Sequence, residues 1–336
     1  MACSRRHLLQ GLAAAGVCAA YPVCTTAAPL ELSGNLWPVH DPCIIKANSL
    51  YHVFSTSAQN DGPGLIHWRV SKDLVHWDLK GAVLPAMPNW VQTELSQARG
   101  IWAPAIVYCG SRYLLYYAVS AFGRNTSIIG LLTTPTLDTG DAAFGWKDEG
   151  VVVRSTAQDD FNAIDGQAFA DDDGRLWLSW GSFWSGIKLA ELDPATGKLL
   201  KPKAWPLSLL SRPSTDAAEA PVIFKRDGYY YLFASYDFCC RGVNSSYYTV
   251  VGRSRSVIGP YVDDKGVGMK KGGGRIVLHA GLDPSGRWKG PGHCDVMKDG
   301  DRDLIAYHAY DAANSGRPTL RIATLTWTSD GWPVAT

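Results

Sequence analysis

One pattern recurs five times along this sequence. It is plainest between Phe161 and Trp184, FNAIDGQAFADDDGRLWLSWGSFW: Asp165 opens a short strand, an Asp/Gly turn follows, and the chain returns as an aromatic-rich alternating strand. HDPCIIKANSLYHVFSTS from His40, WAPAIVYCGSRYLLYYAVS from Trp102, EAPVIFKRDGYYYLFASY from Glu219 and HCDVMKDGDRDLIAYHAY from His293 copy it. Counted from Asp41 through Ala103, Asp165 and Glu219 to His293, the spacings are 62, 62, 54 and 74 residues. Each hairpin is followed by a second half (LIHWRVSKDLVHW, IIGLLTTPTLDT, GIKLAELDPATGK, TVVGRSRSVIGPY, LRIATLTWTSDGWP) that reads as a third strand, a turn and an outer fourth strand. Strand-built units of this length point to radial repetition, in which neighbouring units bury each other's faces. The expected fold is all-β, a five-bladed β-propeller running from about Leu36 to the end; a β-sandwich seldom keeps one two-part unit five times.

The innermost strands of a propeller line its central channel. Asp41, Asp165 and Glu219 open such strands and are therefore expected to meet at one end of the axis, with His293 facing the axis from the fifth blade. Pro42 holds Asp41 extended, its carboxylate aimed into the channel. Phe122, just after the second strand of its blade, is placed to reach the channel mouth. The run Asp171 to Asp173 falls at a hairpin tip and is expected to be a solvated turn, and the stretch between Trp77 and Arg99 reads as a surface loop.

With 32 Lys and Arg against 31 Asp and Glu, the chain has no electrostatic bias towards nucleic acid or anionic lipid, and its partner is expected to be neutral. Thirteen Trp, fifteen Tyr and nine Phe supply flat apolar faces suited to sugar rings, although most must serve the blade core. Residues 1–28 read as a twin-arginine signal: SRRHLLQ at Ser4 to Gln10, an apolar run from Leu8 to Ala20, then small residues up to Ala28. That run is too short to span a bilayer. The expected product is residues 29–336 as a single domain, periplasmic or secreted, monomeric and without a membrane span. Cys43, Cys109, Cys239, Cys240 and Cys294 remain in it. They are an odd number on separate strands, more like buried small residues than a disulfide framework, with a strained bond between Cys239 and Cys240 as the alternative.

Three converging carboxylates suit glycosidic hydrolysis, which needs one acid to protonate the leaving oxygen and one carboxylate to attack the sugar or to activate water. A separation of ~5 Å gives retention and ~6.5–9.5 Å leaves room for water and gives inversion. Asp41 and Glu219 come from opposed blades, which favours the wider gap. Asp165 beside Glu219 would raise the acid's pKa by like-charge repulsion.

At these residues the sequence resembles the family-43 glycoside hydrolases, and among them the endo-1,5-α-L-arabinanases. VHDP, WAP, SAFGRNTS, FNAID, GSFW, EAP, FASYDFCCRG, VVGRS and the GPGH stretch carry the resemblance across nearly the whole mature chain. It implies arabinan and arabino-oligosaccharides as substrate, inversion, Asp41 as general base, Glu219 as general acid and Asp165 as the orienting, pKa-modulating acid. It further implies that Asp41, Phe122, Gly123, Asn162, Ala163, Ile164, Asp165, Ser182, Phe183 and Trp184 line the substrate groove, and that His293 ligates a calcium ion in the channel, one imidazole among waters. Ala105 where many members have Asp, Gly166 instead of Pro after Asp165, and the pair Cys294 and Asp295 depart from the pattern. They bear on subsites, on the stiffness of the Asp165 turn and on the ion's shell.

An exo-acting arabinofuranosidase or β-xylosidase on the same propeller is the nearest alternative. Such relatives often add a β-sandwich domain, whereas the sequence stops with its fifth blade at Thr336, so internal cleavage is expected. Fructan hydrolases share the fold but open on a W-M-N-D-P-N type motif, which LWPVHDPC is not. A sugar-binding propeller without catalysis would have no use for three converging carboxylates.

Overall fold

A computed structural model describes residues 30–58 and 62–336. The leader expected over residues 1–28 lies outside the described residues. Five sheets follow one another around a central axis, each built from consecutive stretches of chain. Their innermost strands are Cys43–Ala47, Gly100–Cys109, Gln167–Ala170, Ala218–Arg226 and Trp288–Asp299. Each pairs antiparallel with the strand after it, as the hairpin pattern predicts. Third strands also follow where expected, at Leu65–Ser71, Ser127–Thr134, Ile187–Leu192, Tyr248–Ser254 and Arg317–Trp327.

The outer strands were harder to place. In blades two, three and four they come later than the turn-rich pattern predicts, at Lys147–Ser155, Leu207–Leu210 and Arg275–Leu278. An edge strand buries little, so its sequence is weakly constrained and its connection can lengthen. The stretch from Trp77 to Arg99 is not a plain surface loop. It carries blade one's outer strand, His76–Leu84, and a short helix, Asn89–Glu94. Val83, Met87, Val91 and Ala98 bury there against the core between blades one and two.

The core is divided by interface: separate apolar clusters fill the gaps between blades one and two, two and three, three and four, four and five, and five and one. Strand faces that alternate inward on both sides of a twisted sheet produce this arrangement, since each blade covers the face its neighbour cannot cover alone. The ring closes where the segment ahead of blade one lies along blade five. Val39 N–H donates to Pro318 O at 3.0 Å, and Leu320 N–H donates to Leu36 O at 2.9 Å. No helix of the described residues is long and apolar enough to cross a membrane.

Asp171 departs from the solvated turn expected of it. It is buried, and accepts from Lys225 Nζ at 2.5 Å and from the Tyr230 hydroxyl at 2.6 Å, which clips blade three to blade four.

Candidate active site

Each inner strand is entered through one residue with left-handed backbone: Asp41 (φ 52°), Ala103 (φ 43°), Asp165 (φ 58°), Ala220 (φ 56°) and His293 (φ 44°). Such a conformation is uncommon outside Gly and disfavours Ala, so the ring must hold it in place, and at Asp41 it replaces the extended backbone expected ahead of Pro42. In blades two, four and five it forms part of a bulge: Trp102 pairs with Ala118, Glu219 with Ser235 and Gly292 with His308, after which the register shifts. Glu219 is therefore not the repeat equivalent of Asp41, Asp165 and His293. That position in blade four belongs to Ala220, and Glu219 stands one residue earlier, matching His40, Trp102, Ile164 and Gly292. The paired Ala-Pro at Ala103 and Ala220 was the available signal.

The three carboxyls nevertheless share one mouth, with the His293 imidazole among them. Its Nδ1 lies 3.0 Å from Asp41 Oδ1. Burial alone would raise the Asp41 carboxyl, but His293, by charge and hydrogen bond, with His40 and His308 beyond it, holds Asp41 well below the usual carboxylate range. In return, and against the lowering effect of burial, Asp41, Asp165 and Glu219 push His293 up to about 9. Asp165 goes the other way. Burial, opposed by His293 and reinforced by the charges of Glu219 and Asp41, pushes it up to about 8. Glu219 is also raised, by burial first, with Asp41 adding to it and Ser182 and Tyr247 opposing it. The site thus holds one carboxylate ionised and favours a proton on the Asp165 and Glu219 pair.

Residues that the repeat pattern did not single out fix these groups. The Thr56 hydroxyl accepts from Ala103 N–H at 2.8 Å and donates to Asp41 Oδ2 at 2.5 Å. His308, fully buried, accepts Asp41 N–H on Nδ1 at 3.1 Å, which places its own proton on Nε2. Ser235 accepts His293 N–H at 2.9 Å. Thr56, Ser235 and His308 occupy the same place at the end of a second strand, and each holds the left-handed residue of the next blade. Gly181 has that place in blade three and no side chain to offer; there Asp165 Oδ2 accepts Ala220 N–H at 3.2 Å. The place is filled by Thr56, Ala118, Gly181, Ser235 and His308 around the ring, a column too mixed to be read as one signal in the sequence.

The expected groove residues divide. Ser182 Oγ donates to Glu219 Oε2 at 2.7 Å. Phe122 is 84% exposed on a turn that Gly123 (φ 74°) closes, a free apolar face beyond the end of the second strand of its blade. Phe183 and Trp184 are partly exposed, and the Phe183 ring lies 5.8 Å from that of Phe238. Asn162, Ala163 and Ile164 are buried: Asn162 Oδ1 accepts from Ser127 Oγ at 2.6 Å and Ala163 packs into the core between blades two and three. The five cysteines are free, Cys239 and Cys240 included.

Two places could hold a cation. His40, Asp41 and His308 bring their ligand atoms within 4.8 Å of one another, but two imidazoles and one carboxylate suit a transition metal better than calcium. Below the mouth, Asp165, Gln167, His293 and Asp295 line a cavity of about 20 Å³. Asp165, Gln167 and Asp295 offer oxygens there among mainly apolar side chains. Its volume takes about one water-sized particle.

The model of the family "Glycosyl hydrolases family 43" matches residues 37–333. An extracellular endo-α-(1→5)-L-arabinanase of Bacillus subtilis (strain 168) is 40% identical to this chain, covering 97% of it and 96% of that protein. An extracellular exo-α-(1→5)-L-arabinofuranosidase of Cellvibrio japonicus (strain Ueda107) is 38% identical over 88% of this chain and 85% of its own. Among solved structures, the Cellvibrio cellulosa α-L-arabinanase complexed with arabinohexaose superposes with a TM-score of 0.81 at 36% identity, covering 90% of this chain and 96% of that one.

Proposed function

The chain belongs to family 43 of the glycosyl hydrolases, and from that membership we propose that it hydrolyses internal α-1,5-L-arabinofuranosidic bonds of arabinan with inversion at the anomeric carbon. The observation that carries this reading is the convergence of Asp41, Asp165 and Glu219 on one buried mouth, with Asp41 held well below the usual carboxylate range and Glu219 raised above it. Asp41 removes a proton from water as the water's oxygen bonds to the anomeric carbon. Glu219 gives its proton to the departing glycosidic oxygen, and the C–O bond breaks with its electron pair going to that oxygen. Asp165 orients Glu219 and supports its protonated form. Ser182, Phe183, Trp184 and the exposed Phe122 offer polar and flat apolar surface to successive sugar units.

Endo action is favoured by the 40% identical relative that covers nearly the whole chain, and the exo-acting relative marks the alternative. Chain lengths of early products from debranched arabinan separate the two. Proton NMR of the first product should show the β-anomer; the α-anomer first would indicate a covalent intermediate. Asp41→Ala should abolish hydrolysis, whereas Glu219→Ala should spare an aryl arabinoside, whose leaving group needs little protonation. Equal loss of both substrates in Glu219→Ala would refute the acid assignment.

A calcium ion in the channel below His293, held by Asp295, Gln167 and the imidazole in its neutral form, would take the place of the His293 proton as the positive charge under the carboxylates. Elemental analysis should find about one equivalent in the purified protein, and chelation should lower both activity and melting temperature. Full removal with neither effect rejects it. The twin-arginine pattern at Arg5 and Arg6 supports export in the folded state; Arg5→Lys with Arg6→Lys should leave the protein in the cytoplasm.

A further inference from the structure

We propose that the cleft between the N-terminal segment and blade five is a second saccharide site, one that binds a carboxylate-bearing sugar. It does not rest on the hydrolytic reading. The cleft is a cavity of about 440 Å³ bordered by Trp37, Arg287, Trp288, Asp311, Arg317 and Arg321, a size in the range of small-ligand pockets. Arg287 and Trp288 lead into the inner strand of blade five, Asp311 to Arg317 join its second and third strands, and Trp37 precedes the inner strand of blade one. All three segments lie at the end where the carboxylates open. Tyr310 connects the two places: its ring lies 5.5 Å from that of His40 in the mouth, and its neighbour Asp311 lines the cleft.

Three guanidiniums line the cleft against two carboxylates, Asp311 and Glu31. Arg287 is spent on Asp311, Nε to Oδ1 at 2.7 Å and Nη2 to Oδ2 at 2.6 Å, with Glu31 acting on it electrostatically. Among the described residues, neither Arg317 nor Arg321 has a carboxylate at ion-pair distance. Arg321 is 6% exposed and its Nε has no hydrogen-bond partner. Its polar neighbour is the phenol of Tyr307, which burial keeps neutral. A buried guanidinium without an anion is costly, and a ligand carboxylate at that spot removes the cost. Both cations lie over indoles, Arg317 at 4.2 Å from the Trp37 ring centre and Arg321 at 4.2 Å from that of Trp288. A guanidinium positioned over a ring keeps a planar fork that carboxylates bind in two-point fashion. Trp37 remains 51% exposed and so keeps apolar surface for a sugar ring beside the acid.

The test is calorimetric titration of the full mature chain with a galacturonic acid tetramer, its methyl ester, and a neutral arabinose tetramer. The acid should bind, the ester should bind at least about tenfold more weakly, and Arg317→Ala should weaken the acid by a similar factor. Arg321→Met should do the same; because that side chain is buried, the exposed Arg317 decides if the Arg321 variant does not fold. Binding of the acid should persist with the mouth occupied by the arabinose tetramer in a Glu219→Gln background. Equal affinity for acid and ester, an unaffected Arg317→Ala, competition with the arabinose tetramer, or no binding of the acid each overturns the proposal.

Discussion

At the scale of single residues, the mouth is governed by which group keeps the positive charge. His293 holds it, raised to about 9, while burial leaves His40 and His308 lowered. In His293→Gln the cation is gone and burial dominates at Asp41, so the base's pKa rises. The acid limb of kcat/KM should then move up by more than about one pH unit; an unmoved limb refutes the pairing. Stability follows the same sign. Because His293 is raised above its ordinary 6.5, its contribution is fully present below that value and lost as pH rises through about 9. Wild-type melting temperature should fall across that window, in which the raised Asp165 loses its contribution as well. A second residue acts by having no side chain. A Cβ on Gly292 would lie 2.2 Å from the Tyr247 ring, and Tyr247 both modulates Glu219 and stacks near His308, ring centres 5.9 Å apart. Gly292→Ala should cost about 1–3 kcal/mol of stability by overpacking and depress kcat on polysaccharide without altering any carboxylate. A near wild-type kcat would show that Tyr247 does not position the acid.

At the scale of elements, the inner strand repeats two devices. One end enters through a left-handed residue; the other is clipped to the next blade. Asp171 with Lys225 and Tyr230, and Asp299 with Lys46 and Tyr51, are the same three side chains at the same repeat positions. Asp299 accepts from Lys46 Nζ at 2.6 Å and from the Tyr51 hydroxyl at 2.9 Å. Against the raising effect of burial, these partners and Arg302 bring its carboxyl down to about 2. The clip is therefore intact above the ordinary carboxylate range and is lost as pH falls through about 2. Asp171→Asn and Asp299→Asn should each cost about 1–3 kcal/mol in urea unfolding near neutral pH. Their effects should add, since the two clips sit at different interfaces; strong non-additivity would mean that the blades do not respond separately.

At the scale of the whole molecule, closure of the ring depends on the segment from Leu30 to Val39. Leu30, Leu32 and Leu36 pack on the cluster between blades five and one, and the backbone of the segment bonds to blade five. Deleting residues 30–36 should lower stability by roughly 3 kcal/mol, about one for each half-buried leucine, and lower activity with it, because Asp41 follows directly. The number of blades and the three carboxylates were legible in the sequence. Alternation, turn residues and strand pairing are local properties, and five copies of one pattern leave few ways to bury their faces. The outer strands were less legible because edges bury little. That Ala220, not Glu219, takes the repeat position was hinted at by the shared Ala-Pro of blades two and four, but strand pairing decided it, since a bulge is settled by the neighbouring strand. Tertiary structure alone brought Thr56, His308, Ser235 and Tyr247 to the mouth, each from a position whose partner lies in the next blade. The protonation of the site belongs to the same class: burial and the approach of His293 to Asp41 set it, and both exist only once the ring has closed.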